Sequence, residues 1–539
     1  VHHAKLPLTI RRGKVDADAT IKKRNTGSVG LVNKLALGLL ALLALAPLTL
    51  PGVALAEKVR ARIDGGVIVG DKADGIAVFK DLPFAAPPIG PLRWAPPAPA
   101  PAWRGDRSAL SYGPGCLQAV NKNGAPNVGG ASGPVSEDCL NLNVFAPVGA
   151  SGAPVMVWIY GGGNVAGENS ISAYDGSAFA HDGVILVSIN YRLGALGFFA
   201  HPALTNAAAS GEPIGNYALM DQIAALKWVQ KNIKAFGGDA KRVTVFGESA
   251  GGIDITALMT IPAARGLFAQ AIVESGAGWD KPVTLAAAEA DGAALAAKLG
   301  APNATLDQLR ALPAEALIAV QGRADPIVDG RLMPEGISQA IARGHAADVP
   351  LIIGSNSFEA SLLAAFHIPP EGYVAVQPEA LRAAYAADPT PKAKAYAMFT
   401  DGVMGAPARW IAAKESGGAP SWLYYFSFRR AVYKDYLPGA PHASEIPFVF
   451  DSWDHIDPKL SRGPETAEDR ALTDVMHGCW VAFAKTGAPK CPTPERWPAY
   501  TPARDQLMEF GESVGIRTNF RKPQLDAQEA AKADLISGK

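Results

Sequence analysis

Charge of one sign is missing from this sequence: 50 Lys and Arg balance 50 Asp and Glu across 539 residues. Without a net field, nothing draws the chain toward nucleic acid or an anionic membrane surface. Cysteine is scarce. Cys116, Cys139, Cys479 and Cys491 include no Cys-x-x-Cys pair, and no His-Glu-x-x-His occurs, which excludes the common zinc and thioredoxin-type sites. Intrinsic disorder is excluded as well, since 48% of the residues are hydrophobic. An even cysteine number in an exported chain points to two bridges, Cys116–Cys139 and Cys479–Cys491. In a cytosolic enzyme four buried thiols would be expected instead.

Long apolar runs are confined to Leu35 to Leu50, a Leu/Ala stretch behind Lys34 that is followed by Pro51-Gly52 and Ala54-Leu55-Ala56. A basic start, an apolar centre and a small-x-small site read as a secretory signal over 31–56, with Glu57 as the first mature residue. Pro47 and Pro51 count against a membrane anchor. Residues 1–30 read as a disordered lead outside the fold. The expected product is secreted or periplasmic, with no membrane association after cleavage. A catalytic domain is expected over 57–517 and a polar C-terminal tail over 518–539.

The chain is organised around Phe246-Gly247-Glu248-Ser249-Ala250-Gly251-Gly252, directly behind the apolar strand Val243-Thr244-Val245 and ahead of a helical stretch to Ile261. Such a strand–Gly-x-Ser-x-Gly–helix elbow strains the Ser backbone and needs small neighbours, as at 247, 250 and 251. The five-residue pattern recurs at Gly511-Glu512-Ser513-Val514-Gly515, but no helix pattern and no His follow it. Ser513 is a decoy.

Ile63 to Val69 and Gly75 to Phe79 read as two short strands, and the proline-rich Leu82 to Trp103 as an extended strap. Val155 to Ile159 has the fully apolar character of a central parallel strand and runs into Tyr160-Gly161-Gly162-Gly163-Asn164. Consecutive glycines bring bare N–H groups up to a ligand, as an oxyanion hole requires. Gly161-x-Gly163-x-x-Ala166 also imitates a dinucleotide fingerprint. That motif needs an immediate helix and an acid at the next strand end, and the next strand, Val184 to Ile189, ends in Asn190. No cofactor is therefore expected. A helix over Ala218 to Ala235, Ala-rich helices over 280–345 and 373–420, an aromatic strand Trp422 to Phe428, a helix Glu465 to Lys485 and a strand near Leu507 complete an α/β pattern.

The motifs Pro83-Phe84-Ala85-Ala86-Pro87-Pro88, Glu137-Asp138-Cys139-Leu140-Asn141-Leu142-Asn143, Tyr160-Gly161-Gly162-Gly163, Asn190-Tyr191-Arg192 and Gly247-Glu248-Ser249-Ala250-Gly251-Gly252 stand in this order. Together they resemble the type B carboxylesterases of the carboxylesterase/cholinesterase family, over about residues 60–515. The resemblance implies an α/β-hydrolase fold, with a large mostly parallel sheet flanked by helices and helical insertions over the site. It implies that Glu359, in Gly354-Ser355-Asn356-Ser357-Phe358-Glu359, is the acid of a Ser-His-Glu triad, although Ala360 stands where the family has Gly. Of the four histidines beyond Glu359, His477 fits a packed helix face, His455 a solvated turn and His367 a loop. His442, in Gly439-Ala440-Pro441-His442-Ala443-Ser444-Glu445, matches the family's Gly-x-x-His-x-x-Glu. The expected triad is Ser249, Glu359 and His442, with the N–H groups of Gly162, Gly163 and Ala250 as the oxyanion hole. The family also implies that Glu248 adds negative potential beside the serine.

Residues 117–138 contain no aromatic, and Ala360-Ser361-Leu362-Leu363 replaces an aromatic pair found in cholinesterases, so a choline ester is a poor fit. The expectation is a serine ester hydrolase acting through an acyl-enzyme on small to medium esters. A specialised detoxifying esterase, of mycotoxin or carbamate type, is the alternative among enzymes. A catalytically silent adhesion relative is the alternative outside them. Nothing in the sequence specifies an oligomeric state.

Overall fold

A computed structural model describes residues 57–276, 278–279, 281–320, 322–456 and 461–537. The signal segment expected over 31–56 and the lead before it lie outside these residues. Twelve strands follow one another across the main sheet: β1 (Glu57–Ile63), β2 (Gly66–Ala73), β3 (Ile76–Pro83), β4 (Asn141–Pro147), β5 (Ala153–Ile159), β6 (Ile185–Ile189), β7 (Gly238–Glu248), β8 (Gln270–Glu274), β9 (Leu351–Asn356), β10 (Ser421–Phe426), β11 (Gln506–Phe510) and β12 (Gly515–Thr518). Their spatial order is β1-β2-β3-β4-β6-β5-β7-β8-β9-β10-β11-β12, and the short strand Asp106–Ser108 pairs with β2. From β6 through β11 every neighbouring pair is parallel; the remaining pairs of this order are antiparallel, and Asp106–Ser108 joins β2 in parallel. This is the mixed, mostly parallel sheet of an α/β-hydrolase.

Burial explains which strands lie where. β5 and β6 are buried at every residue, as strands covered by helices on both faces must be. Helix α1 (Tyr217–Asn232) covers one stretch of the sheet, and α2 (Ala250–Thr260) leaves the end of β7 and packs against β7 and β8. Later come α3 (Ala406–Glu415), α4 (Ala467–Thr486) and α5 (Lys522–Ala531). Short helices fill the two Ala-rich regions, including Leu285–Lys298 and Pro391–Thr400.

Two expectations need correction. The first strand pair is three strands, because the chain reverses at Asp64-Gly65 as well as at Asp74-Gly75. Asp74 and Gly75 both have positive φ (48° and 81°), which Asp-Gly supplies cheaply in a tight hairpin. Residues 518–539 are not merely a polar tail, since they carry α5, with Leu525 and Gln528 buried. Arg521 binds the buried carboxylate of Asp401 at 2.6 Å, and Arg409 of α3 pairs with Asp526 and Glu529. The charged residues of the expected polar tail are the ones that dock it.

Both disulfides, Cys116–Cys139 and Cys479–Cys491, are formed. Phe84 and Trp94 of the proline-rich strap are buried, and Trp94 stacks on Phe199. The second Gly-x-Ser-x-Gly copy is the turn between β11 and β12, with Ser513 exposed.

Candidate active site

The parallel register sets the C-terminal ends of β7, β9 and β10 along one edge of the sheet. The segments leaving these ends carry Ser249, Glu359 and His442. Ser249 has φ 56° and ψ −124°, a strained conformation for a residue with a side chain. The turn is possible because a Cβ on Gly247 or Gly251 would meet the carbonyl oxygen of Ile159, at 2.4 and 2.0 Å. Strand and helix thus touch backbone to backbone.

His442 joins the other two. Its Nε2 lies 2.8 Å from Ser249 Oγ, and its Nδ1 lies 2.5 Å from Glu359 Oε2. The remaining oxygen of Glu359 accepts from Ser275 Oγ at 2.5 Å and from the Asn356 amide at 2.7 Å. The fully buried carboxylate is therefore clamped from three sides. The His442 loop is tied to the Glu359 loop by its own amide, which donates to Ser361 Oγ at 3.1 Å, and by the bond from the Phe358 amide to Ala440 O at 2.8 Å. Ser361 follows Ala360, the position that departs from the family pattern, and Ala360 is itself buried against Leu363 and Phe399.

The glycine loop backs directly onto the serine, since a Cβ on Gly161 would lie 2.8 Å from Ser249 Cβ. Gly162 and Gly163 have φ of 94° and 64°. Among the described residues no backbone hydrogen bond uses the amides of Gly162, Gly163 or Ala250, whereas the Ser249 amide is taken by Glu274 O at 2.9 Å. Three free donors thus stand near one hydroxyl, and Ala250 opens the first turn of α2.

Three buried glutamates, Glu248, Glu359 and Glu445, act on the imidazole, and a fourth, Glu274, lies within electrostatic reach of Glu248 and Glu445. Burial pushes Glu248 up to about 8 and Glu445 up to about 7, and raises Glu274 well above the usual carboxylate range. Asn356 Nδ2 holds Glu445, and Trp480 Nε1 donates to Glu274 at 2.8 Å. Glu248 Oε1 lies 3.0 Å from His442 Nε2, close enough for attraction but without hydrogen-bond geometry. For His442, burial alone would lower the pKa; Glu248, Glu359 and the bond to Glu359 outweigh it and raise it. The site can therefore stabilise an imidazolium.

The other histidines are elsewhere. His477 is buried and bonded to Val449 O, His455 stands near Asp175 and His367 is exposed. Asn356, Ser361 and Glu445 stand inside the quoted motifs but had no role assigned from sequence, and Ser275 lies in no motif. Ser275 ends the strand next to the elbow, so the parallel order of strand ends was the signal that could have found it. Among the described residues no group of three or more His, Cys, Asp or Glu is arranged to hold a metal ion, and no helix is long and apolar enough to cross a membrane.

The profile of the carboxylesterase family matches residues 56–388 and 373–528. The chain belongs to the carboxylesterase family. It is 36% identical over 486 residues to the fumonisin B1 esterase of Sphingopyxis macrogoltabida, covering 84% of this chain and 86% of that protein. It is 37% identical over 487 residues to the para-nitrobenzyl esterase of Bacillus subtilis, covering 84% and 95%. A solved PNB esterase superposes with a TM-score of 0.75 at 33% identity, covering 87% of this chain and 99% of that one. A Geobacillus stearothermophilus carboxylesterase superposes with 0.76 at 30% identity, covering 88% and 99%. This carboxylesterase is a serine-hydrolase-type enzyme acting on small to medium esters.

Proposed function

We propose that Ser249 is the nucleophile of an acyl-enzyme mechanism, with His442 as its base and Glu359 as the orienting acid. The observation that carries this reading is the continuous relay from Ser249 Oγ through both imidazole nitrogens to Glu359 Oε2, at 2.8 and 2.5 Å. A free serine hydroxyl is a poor nucleophile, so Nε2 takes its proton as Oγ attacks the ester carbonyl. Glu359 fixes the tautomer with Nδ1–H donating to it, and stabilises the imidazolium that forms. The developing oxyanion is received by the amides of Gly162, Gly163 and Ala250, each donor contributing about 10²–10³ in rate. His442 then protonates the departing alcohol. Water, activated by the same imidazole, cleaves the acyl-enzyme and restores Ser249.

The substrates proposed are small to medium carboxylic esters with an apolar portion. A cavity of about 390 Å³ borders His442, lined by Ile171, Tyr174, Tyr433 and Trp453 among others. A second cavity of about 700 Å³ shares Pro126 with it. The likeness to a fumonisin B1 esterase supports a detoxifying role as a specialisation of the same chemistry. Export to the periplasm or medium is proposed as well; the apolar run Leu35 to Leu50 and two formed disulfides support it.

Steady-state hydrolysis of p-nitrophenyl esters of increasing acyl length tests the reading. Ser249→Ala and His442→Gln should each lose at least about 10³ in kcat, given the cooperation of triad members. Retention of more than about a tenth of kcat in either variant would refute the assignment.

A further inference from the structure

Asp254 is a carboxylic acid in a place where packing alone would favour an apolar residue. It sits in α2, one turn beyond Ser249, fully buried against α1. Among the described residues no cation pairs with it; its acceptors are filled by two neutral amides. Asn164 Nδ2 donates to Oδ1 at 3.1 Å, and Gln222 Nε2 of α1 donates to Oδ2 at 2.6 Å. Burial outweighs both bonds and pushes the carboxyl up to about 7. A buried acid held this way costs stability relative to an apolar residue, a cost that a positioning role would account for.

What it holds is the end of the glycine loop. Gly161, Gly162 and Gly163 have no side chain with which to anchor themselves, and Asn164 is the first residue after them that has one. Asn164 is 3% exposed and left-handed, with φ 57°. Its amide also donates to Ala324 O at 3.2 Å, and its carbonyl accepts from the Gly194 amide at 2.7 Å. Among the described residues its Oδ1 has no hydrogen-bond partner, nor has Oε1 of Gln222. Side-chain anchorage of the loop on α2 therefore runs through Asp254. The same helix begins with the Ala250 amide, so a single rigid element carries one oxyanion donor and the acceptor that pins the loop bearing the other two.

We propose that Asp254 is a positioning residue that, through Asn164, holds the amides of Gly162 and Gly163 in register with that of Ala250. The proposal rests on the acyl-enzyme reading above, because it assigns those amides to the oxyanion. Misplacement of such donors by about 1 Å is enough to cost about 10² in rate. An interaction made only in the transition state lowers kcat while leaving KM in place.

The test compares wild type with Asp254→Leu, Asp254→Asn, Asn164→Gly and the Asp254→Leu/Asn164→Gly double variant. Glycine at 164 tolerates the positive φ but offers no amide to grip. The readouts are kcat and KM for p-nitrophenyl butyrate and the inhibition constant of an alkyl trifluoromethyl ketone, whose adduct places an oxyanion in the site. Asp254→Leu and Asn164→Gly should each lower kcat about 10- to 100-fold with KM within about threefold, and weaken the ketone in the same proportion. The double variant should be no worse than either single one. Asp254→Asn should stay within about threefold of wild type, since its oxygen still accepts from Asn164 and Gln222 can turn its orphaned oxygen toward the new amide. Should Asp254→Leu fail to fold, Asn164→Gly decides alone. Full kcat in Asn164→Gly, losses that multiply in the double variant, or a loss confined to KM would overturn the proposal. Ser249→Ala runs alongside: an inactive Ser249→Ala beside a fully active Asn164→Gly sinks this inference alone, while an active Ser249→Ala sinks the reading beneath it too.

Discussion

Replacing Glu248 by Gln should move the acid limb of the pH–rate profile to lower pH. The residue stands 3.0 Å from the imidazole nitrogen that, in the proposed mechanism, must be free of its proton to receive one from Ser249. A unit negative charge at that distance, at an effective dielectric constant of about 20, favours the imidazolium by about 5 kcal/mol, or roughly four pKa units. That figure is an upper bound, because burial lifts Glu248 itself to about 8 and the two groups titrate as a pair. Glutamine keeps the volume and removes the charge, leaving Glu359 as the carboxylate hydrogen-bonded to His442. A smaller population of imidazolium means that activity persists further into acid. The expected displacement of the kcat/KM limb is at least about one unit. The assay is hydrolysis of p-nitrophenyl butyrate, read at the isosbestic wavelength of the phenol. A limb that stays put or moves toward alkaline pH would refute the electrostatic reasoning.

The other predictions concern stability. Glu248, Glu445, Glu274 and Asp254 all have raised pKa values through burial, and their neutral forms are favoured in the folded state. The folded protein therefore binds more protons than the unfolded chain between about pH 4 and 8, and His442, also raised, extends this in the alkaline direction. These groups make stability fall as pH rises, so calorimetry should show a lower Tm at about pH 9 than at about pH 6, and a rise would contradict the assignment. Truncation after Thr518 removes Arg521 and leaves the buried Asp401 without its cation. The expected cost is about 3–5 kcal/mol in denaturant unfolding, and a loss under about 1 kcal/mol would show that α5 is dispensable. Replacing both Cys116 and Cys139 by Ser opens a loop with a sequence separation of 23 and should cost about 3 kcal/mol by loop-closure entropy; unchanged stability would show that the reduced chain is already constrained there.

The parts of this fold legible in the sequence are those in which local pattern and tertiary role coincide. β5 is apolar throughout because both faces are covered, and the elbow needs its glycines because Ile159 O lies against them. The relay was legible only through motif resemblance. Glu359 and His442 are 83 residues apart, and no local periodicity brings two strand ends together. The buried polar groups around them were less visible. Asn164, Asp254, Ser275 and Glu445 are short polar residues that single-residue statistics place on the surface. Each is buried against a partner from a distant segment: Asp254 for Asn164, Gln222 for Asp254, Glu359 for Ser275 and Asn356 for Glu445. The misread N-terminal strands have a simpler cause: the reading followed alternation through Asp64-Gly65, when the Asp-Gly pair was the stronger signal. The C-terminal helix was hidden by its charge, since its docking partners Asp401 and Arg409 lie more than a hundred residues away.

Exposure of the native protein to a radiolabelled organophosphate, followed by peptide mass spectrometry, tests the central claim most directly. One adduct per chain is predicted on the peptide carrying Ser249, absent from Ser249→Ala and unchanged in Ser513→Ala. An adduct on any other residue, or labelling that survives in Ser249→Ala, would contradict it.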